Sequence, residues 1–219
     1  MAFDFKKPTT QMLGRWQPWH DGHTELFKKA LTITGQVVIM VRDVYKFDGD
    51  AGAGRTVKQD DNPFGMIQTI DGIEKVAITT NGYKLPKHIK QWVDAGLDAI
   101  NVSIDSLDAE KFKHITGHDR LNEIMTGLDM AMNLGMKHVT VNAVLLKEYN
   151  LEEFDHFLNW IKSTPISLRF IELMETGDNQ AYFQRNHVSA SFIEKKLTAE
   201  HWQLKAKSAH SGPANEYPH

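Results

Sequence analysis

The sequence has 219 residues, no cysteine and a formal charge of −3, with 25 Lys and Arg against 28 Asp and Glu. This balance argues against a nucleic-acid or membrane-surface partner, and the lack of cysteine excludes disulfides, zinc–thiolate sites and cysteine nucleophiles. No apolar run approaches the ~18 residues of a membrane span. The start MAFDFKKPTTQ lacks the apolar core of a signal peptide, so we expect a cytoplasmic protein.

The first predicted elements form a Rossmann-like β-α-β fragment in residues 11–43. A short apolar strand and a Gly/Pro-containing turn precede a helix with apolar residues at helical spacing, and the β-rich run Gln36–Val41 follows. Residues 44–65 are rich in Gly and Asp and have no periodicity, which predicts a linker. We therefore divide the chain into residues 1–65 and 66–219.

Residues 66–219 alternate between strand and helix patterns. The spacing of apolar residues predicts strands at Val76–Thr80, Ala99–Ser103, His138–Leu145 and Ser167–Glu172, with helices of ten to fifteen residues between them. Such alternation implies parallel pairing with right-handed crossovers. An α/β fold with a partial βα-barrel fits best, and a doubly wound sheet is the alternative.

Local signals mark the ends of these helices. Gly96 and Gly135 stand where helix C-caps are expected, and Asp108 and Asp119 stand where N-caps are expected. A further helix is expected near Ser191–Leu197. The tail KAKSAHSGPANEYPH has no periodicity, so we expect it to be unstructured or cut short.

The turn between the first strand and the first helix carries the motif His20-Asp21-Gly22-His23. A helix N-terminus suits a triphosphate, two imidazoles can donate to phosphoryl oxygens, and Gly22 permits close approach of the nucleotide. The stretch GRWQPWHDGH resembles the His-x-Gly-His nucleotidyltransferases, such as cytidylyl- and adenylyltransferases. The resemblance implies catalytic roles for His20 and His23, nucleotide binding at Gly22, CTP or ATP as substrate, and Mg²⁺.

Other interpretations of this motif remain open. The two histidines could cap a surface helix, and a two-histidine metal site is disfavoured because no third ligand is apparent nearby. The second signature of these transferases, a Ser/Thr-rich turn with a cation opening a helix, is missing. Ser163-Thr164 with Arg169 looks similar but falls on a predicted strand.

The longer segment has its own resemblance, carried by VAITTNGYKL, DAGLDAINVSIDSLDAEKFKHITG, VTVNAVLL, FLNWIKSTPISLRFIELMETG and SGPANEY. In this order these stretches resemble the GTP 3′,8-cyclases of molybdenum-cofactor biosynthesis, which are radical S-adenosylmethionine enzymes. The resemblance implies strands three to six of a radical-SAM-type barrel. It also implies S-adenosylmethionine and a 4Fe–4S cluster as cofactors, and GTP as substrate.

The resemblance implies that Thr79 contacts GTP and that Ser103 and Met174 contact S-adenosylmethionine. Strand alternation adds Asn142 and Arg169 as secondary candidates at the carboxyl rim of the sheet. Each residue also has a purely structural interpretation. Thr79 and Ser103 could simply end strands. Asn142 could bond neighbouring backbone, Arg169 could pair with Glu172, and Met174 could belong to the core.

Three departures from the cyclases matter. Their cluster-binding cysteines and glycine-rich segment are missing where the first 65 residues stand. A lysine expected to contact GTP aligns with Thr140. The sequence ends at His219, before the family's C-terminal cysteines and GTP-contacting arginines. We therefore expect no cluster and no cyclisation by this chain. The hypotheses left open are a nucleotidyltransferase, a non-catalytic binder of nucleotide or S-adenosylmethionine, and a fusion of two gene fragments, natural or from sequence assembly.

Overall fold

The computed structural model describes residues 10–14, 21–35, 37–41, 76–206 and 214–218. These residues fall into two compact units. The first unit holds the described residues up to Ile78 together with Asp94–Leu97 and residue 214. The second unit holds Thr79–Val93, Asp98–Ala206 and the described residues after 214.

The first unit contains the expected strand–helix–strand motif. Strand β1 (Thr10–Gly14) pairs in parallel with β2 (Val37–Val41), and helix α1 (Asp21–Thr34) connects them. The helix ends at Gly35, which has a φ of 73° and donates its N–H to the Leu31 carbonyl over 2.7 Å. Glycine adopts this left-handed conformation without steric cost. The predicted linker at 44–65 lies outside the described residues.

The remaining strands form one four-stranded sheet in the order β3-β4-β5-β6. The strands are β3 (Ala77–Thr80), β4 (Ala99–Ser103), β5 (His138–Val144) and β6 (Ser167–Ile171). The helices are α2 (Leu85–Asp94), α3 (Ala109–Thr116), α4 (Leu121–Asn133), α5 (Phe154–Ser163), α6 (Gln180–Asn186) and α7 (Ala190–Ala199). A 3₁₀ turn at Leu151–Glu153 precedes α5. The alternation confirms the predicted α/β class.

Strand β5 pairs in parallel with both of its neighbours, β4 and β6. On β4 and β5 one face is apolar and closed to solvent; its buried residues are Ile100, Val102, Val139, Val141 and Ala143. Helices pack on the sheet, α4 against β5 and α5 against β6. Parallel strands joined by helices place their carboxyl ends at one edge, as a partial βα-barrel requires.

Gly96 and Gly135 each stand two residues past a helix with positive φ, 88° and 83°, and the C-cap of α4 itself is Leu134. The first N-cap is the predicted residue, but the second is not. Asp108 accepts a hydrogen bond from the Lys111 N–H, whereas α4 begins after Arg120, which makes no side-chain cap. Asp119 was therefore the wrong residue for the cap. Arg120 instead pairs with Glu123 over 2.6 Å in the first turn of the helix.

The expectation that the tail is unstructured was wrong for residues 215–217. The Lys205 N–H donates to the Glu216 carbonyl over 2.8 Å, and Asn215 donates to Glu194 of α7. Tyr217 packs against a buried cluster; its members are Leu145, Phe154, Leu158, Val188, Ile193, Leu197 and Trp202. Apolar burial therefore orders part of a segment that has no periodic pattern. Among the described helices, none is long and apolar enough to cross a membrane.

Candidate ligand-binding face

The second face of the sheet is polar and accessible to solvent. The register aligns Ser103 with Asn142, and Asn142 with Arg169, so these three residues form one row across β4, β5 and β6. Residues at the same register on parallel strands point to the same side, with neighbouring strands about 4.8 Å apart. We call these three residues the ligand row. It brings together a hydroxyl on the last residue of β4 with an amide and a guanidinium two residues before the ends of β5 and β6, near the carboxyl edge of the sheet.

Below the ligand row lies a second row of neutral polar residues, Asn101, Thr140 and Ser167. The Asn101 Nδ2 donates to the Thr79 Oγ1 over 3.4 Å. Thr79 therefore lies at the same face as Asn101. Sequence reasoning missed Asn101, although its place two residues before Ser103 on the same strand indicates a shared face.

Two polar groups of the ligand row have no hydrogen-bond partner within the described part of the chain. The Asn142 Oδ1 is buried and accepts no hydrogen bond there. The Arg169 side chain is exposed, and none of the described carboxylates pairs with it. A buried acceptor without a donor costs about 1–3 kcal/mol, so the Asn142 oxygen favours a ligand that donates to it.

Glu172 does not pair with Arg169, which removes one structural interpretation of that arginine. The Glu172 Oε1 instead accepts a hydrogen bond from His187 Nε2 over 2.6 Å, and Oε2 accepts one from the Ala190 N–H over 3.1 Å. These two bonds, the His187 bond first, lower the pKa of the Glu172 carboxyl below its ordinary value. The carboxylate thereby links the end of β6 to the start of α7.

Replacing this carboxylate gives a pH-dependent loss of stability. The pKa of the Glu172 carboxyl is lower in the folded than in the unfolded chain, so the ionised carboxylate stabilises the fold. This contribution to the free energy of unfolding is present above the ordinary pKa and is lost as the pH falls through the folded-state pKa. We expect Glu172→Gln to cost about 0.5 kcal/mol of unfolding free energy at neutral pH, because the pair is partly exposed. The difference should shrink in acid. Urea unfolding at several pH values measures it, with exposed Glu175→Gln as the control; equal losses at all pH values would contradict the assignment.

Met174 lies three residues beyond β6 and is 74% exposed, so it does not belong to the core. The loop around it is closed by Asn179, whose Nδ2 donates to the Met174 carbonyl over 3.1 Å and whose Oδ1 accepts from the Thr176 N–H over 2.7 Å. Helix α6 follows directly. The loop thus holds a thioether outside the sheet edge, where it is free to contact a ligand.

On the carboxyl side of the ligand row, the segment that follows β4 is joined to the last residue of β5. The Asp105 carboxylate accepts a hydrogen bond from the Val144 N–H over 2.9 Å. Burial raises the pKa of this carboxyl, and the Val144 hydrogen bond opposes the rise. Next to it, the buried Glu153 carboxylate accepts hydrogen bonds from the Ser106 hydroxyl over 2.8 Å and from the Leu107 N–H over 2.9 Å. The Asp105–Val144 hydrogen bond therefore keeps the chain after β4 attached to β5, and Glu153 holds the next residues of the same loop.

The nucleotidyltransferase-like motif belongs to the first unit. Gly22 and His23 lie in the first turn of α1, and Gly22 is exposed. His20 lies outside the described residues, so its position relative to His23 stays a prediction. The structure brings Thr79, Ser103, Asn142 and Arg169 onto one face of the sheet.

Comparison with known proteins identifies the family. Residues 28–161 match the model of the radical SAM superfamily. Since that range is more than half of the chain, the protein belongs to the radical SAM superfamily. The match begins inside α1, and so includes part of the 1–65 segment.

Similar proteins include enzymes named GTP 3′,8-cyclase. The chain is 50% identical over 153 residues to the one from Vibrio atlanticus (strain LGP32), which covers 70% of this chain and 46% of that protein. It is 48% identical over 159 residues to the one from Stenotrophomonas maltophilia (strain K279a), which covers 73% of this chain and 49% of that protein. The chain spans about half the length of the curated relatives it matches.

Family membership implies S-adenosylmethionine and a 4Fe–4S cluster, and these two groups fit the residues differently. The sequence has no cysteine, hence no thiolate to ligate a cluster. In the described ranges, no three His, Asp or Glu side chains converge on a common point. The ligand row, in contrast, offers a cation, a hydroxyl and an unsatisfied amide oxygen, which suit the polar groups of S-adenosylmethionine.

Proposed function

We propose that this chain is a GTP 3′,8-cyclase-type domain whose polar sheet face binds S-adenosylmethionine without cleaving it. The observation that supports the proposal is the ligand row, in which Ser103, Asn142 and Arg169 share one register across three parallel strands. Ligands of parallel βα-barrels bind at the carboxyl ends of the strands, and this row lies within two residues of those ends.

The residue chemistry matches the ligand group by group. S-adenosylmethionine carries one carboxylate, which the planar guanidinium of Arg169 can bind through two parallel hydrogen bonds. Its α-ammonium is a donor for the buried Asn142 Oδ1. The Ser103 hydroxyl can either donate or accept. Val144 and Ile171, aligned two residues beyond the row, supply an apolar surface for the rest of the ligand.

GTP should bind this face less tightly than S-adenosylmethionine. The two rows contain one cation, Arg169, and otherwise neutral side chains. A triphosphate carries three to four negative charges, and each charge-assisted contact that it lacks forgoes roughly 1.5–3 kcal/mol. Thr79 and Asn101 can still contact the hydroxyl groups of a nucleoside.

Reductive cleavage of S-adenosylmethionine requires a cluster, and this chain offers no thiolate for one. The residues of the polar face can bind and orient the ligand, but none of Ser103, Asn142 and Arg169 is an electron donor. The proposed activity is therefore binding.

Calorimetry with the whole chain tests this proposal. We expect saturable binding of S-adenosylmethionine, and binding of GTP at least about tenfold weaker. After anaerobic incubation with iron, sulfide and dithionite, we expect no 5′-deoxyadenosine above a protein-free control. Heat no different from buffer would overturn the binding proposal, and catalytic formation of 5′-deoxyadenosine would overturn the absence of cleavage.

Nucleotidyl transfer is the second candidate, favoured by the placement of Gly22 and His23 in the first turn of a helix between parallel strands. Backbone N–H groups at that position favour phosphate, and an imidazole can stabilise negative charge on the oxygens of the attacked phosphate. CTP or ATP with Mg²⁺ and a panel of phosphate-monoester acceptors should then release pyrophosphate. His23→Ala should lower the rate at least about a hundredfold. Absence of pyrophosphate with both nucleotides would reject this candidate.

A further inference from the structure

The Asn150 side chain joins the segments on the carboxyl side of the ligand row. This amide is buried, with 0% of the residue exposed. Its Nδ2 donates to two carbonyls, those of Asp105 and Val144, the latter over 2.9 Å. Its Oδ1 accepts from the Leu146 N–H over 2.6 Å. Both donors and the acceptor of the side chain are therefore used, and all three partners are backbone groups.

These contacts cross from one strand end to the next. Asp105 follows β4 and Val144 ends β5, and Asn150 bridges their two carbonyls. A direct hydrogen bond also joins these two residues, from the Val144 N–H to the Asp105 carboxylate. Between them and the ligand row, the Ile104 N–H donates to the Asn142 carbonyl over 2.9 Å. Asn150 and Asp105 together form what we call the Asn150 clamp.

We propose that Asn150 and Asp105 are positioning residues for the ligand row. The last pairs of a strand ladder have neighbours on one side only, so contacts beyond them decide how firmly the ends of the two strands stay in register. The clamp's contacts at Asp105 and Val144 lie two residues past Ser103 and Asn142, and they reach the last residue of β5 and the segment that follows β4. A ligand held by groups on two strands binds tightly only when those groups keep their mutual distance. This inference rests on the proposed function, because it concerns the same face.

The three hydrogen bonds of the Asn150 side chain require an amide at this position, because two are donated and one is accepted. An Asp there would place an oxygen against two carbonyl oxygens and lose both donated bonds, with almost no change of volume. Alanine at position 105 would remove the acceptor for the Val144 N–H, whereas asparagine would keep an oxygen there. Comparison of Asp105→Ala with Asp105→Asn thus separates the effect of losing the hydrogen bond from the effect of losing the charge.

A second buried asparagine provides a matched control. Asn186 is also 0% exposed, and its side chain accepts from the Glu148 N–H over 3.3 Å and donates to the Tyr182 carbonyl over 3.3 Å. These partners belong to the loop after β5 and to α6, and not to β4 or to the ligand row. Asn186→Asp should therefore destabilise the fold while leaving the strand ends in place.

The test compares ligand affinity with stability in the same variants. Calorimetry with S-adenosylmethionine, at a temperature where each variant is folded by circular dichroism, should show at least about fivefold weaker binding for Asn150→Asp and Asp105→Ala. Asp105→Asn and Asn186→Asp should bind within about twofold of the unaltered chain. Urea unfolding gives the loss of stability for each variant.

The outcomes separate this inference from the proposed function. If the unaltered chain does not bind S-adenosylmethionine, the proposed function fails and this inference falls with it. If it binds and Asn150→Asp binds equally well, or no worse than Asn186→Asp, the positioning role is wrong. Should Asn150→Asp not fold, the Asp105 pair decides, and equal affinity of Asp105→Ala and Asp105→Asn would overturn the proposal.

Discussion

Arg169→Gln should weaken binding of S-adenosylmethionine by about tenfold to a hundredfold. Arg169 is the one cation in the two polar rows, and a charge-assisted hydrogen bond to a carboxylate contributes roughly 1.5–3 kcal/mol. Glutamine keeps much of the length and polarity of the side chain but removes the positive charge and the forked geometry. Arg169→Lys should give an intermediate affinity, because an ammonium keeps the charge without the paired donors.

Arg185→Gln is the control for charge removal. Arg185 lies on α6, with its Nε 3.8 Å from the Glu148 carboxylate, and both side chains are more than half exposed. Removal of this surface ion pair should leave the affinity for S-adenosylmethionine within about twofold of that of the unaltered chain. Calorimetry with S-adenosylmethionine, and with 5′-methylthioadenosine as a ligand without the carboxylate, measures both effects. Equal loss for the two ligands in Arg169→Gln would show that Arg169 does not bind the carboxylate.

Gly127→Ala should destabilise the second unit by about 1–2 kcal/mol, because overpacking a tight core costs up to about 3 kcal/mol and the higher helix propensity of alanine returns about 1 kcal/mol. Gly127 lies in α4, where an added Cβ would come within 2.3 Å of the Leu85 Cβ and 3.1 Å of the Pro86 backbone nitrogen. Neither neighbour is the flexible end of a long side chain, so α2 and α4 would have to move apart. This cost should outweigh the roughly 1 kcal/mol by which alanine favours a helix over glycine.

The control for this substitution is Gly177→Ala. An added Cβ at Gly177 meets no atom within 4 Å, and the residue lies in a loop. Its substitution should change the unfolding free energy by less than about 0.5 kcal/mol. Urea denaturation of both variants provides the comparison. A Gly127→Ala variant as stable as the original chain would contradict the close approach of the two helices.

The sequence was sufficient to predict most of the sheet because its central strands, β4 and β5, bury alternate apolar residues. The strand Ala99–Ser103 was predicted to the residue, and His138–Leu145 and Ser167–Glu172 were each one residue too long. Helix α6 was missed for a physical reason. It has seven residues, and the residue that it buries is the polar Asn186. A helix without an apolar stripe gives no periodic signal.

The candidate face could be predicted in part. Alternation along a strand places Asn142 and Arg169 at the rim, but only the register shows that they share a row with Ser103. The side-chain contact between Asp105 and Val144 spans 39 positions in the chain. No local pattern predicts such a contact, because the two loops meet only after the strands pair. Which partner Glu172 chooses, His187 or Arg169, likewise depends on where α7 begins.

Along each of the strands β4 and β5, residues that pack in the core alternate with residues of the polar, ligand-binding face. Val102 and Val141 are fully buried, while their immediate neighbours Ser103 and Asn142 belong to the ligand row. Substitutions on the polar face can therefore alter ligand preference at little expense to folding. A single-residue insertion within β4 or β5 is different, because it would turn the apolar side chains beyond it toward solvent and the polar ones toward the helices. These strands should thus accept changes of residue type on one side far more readily than any change of length.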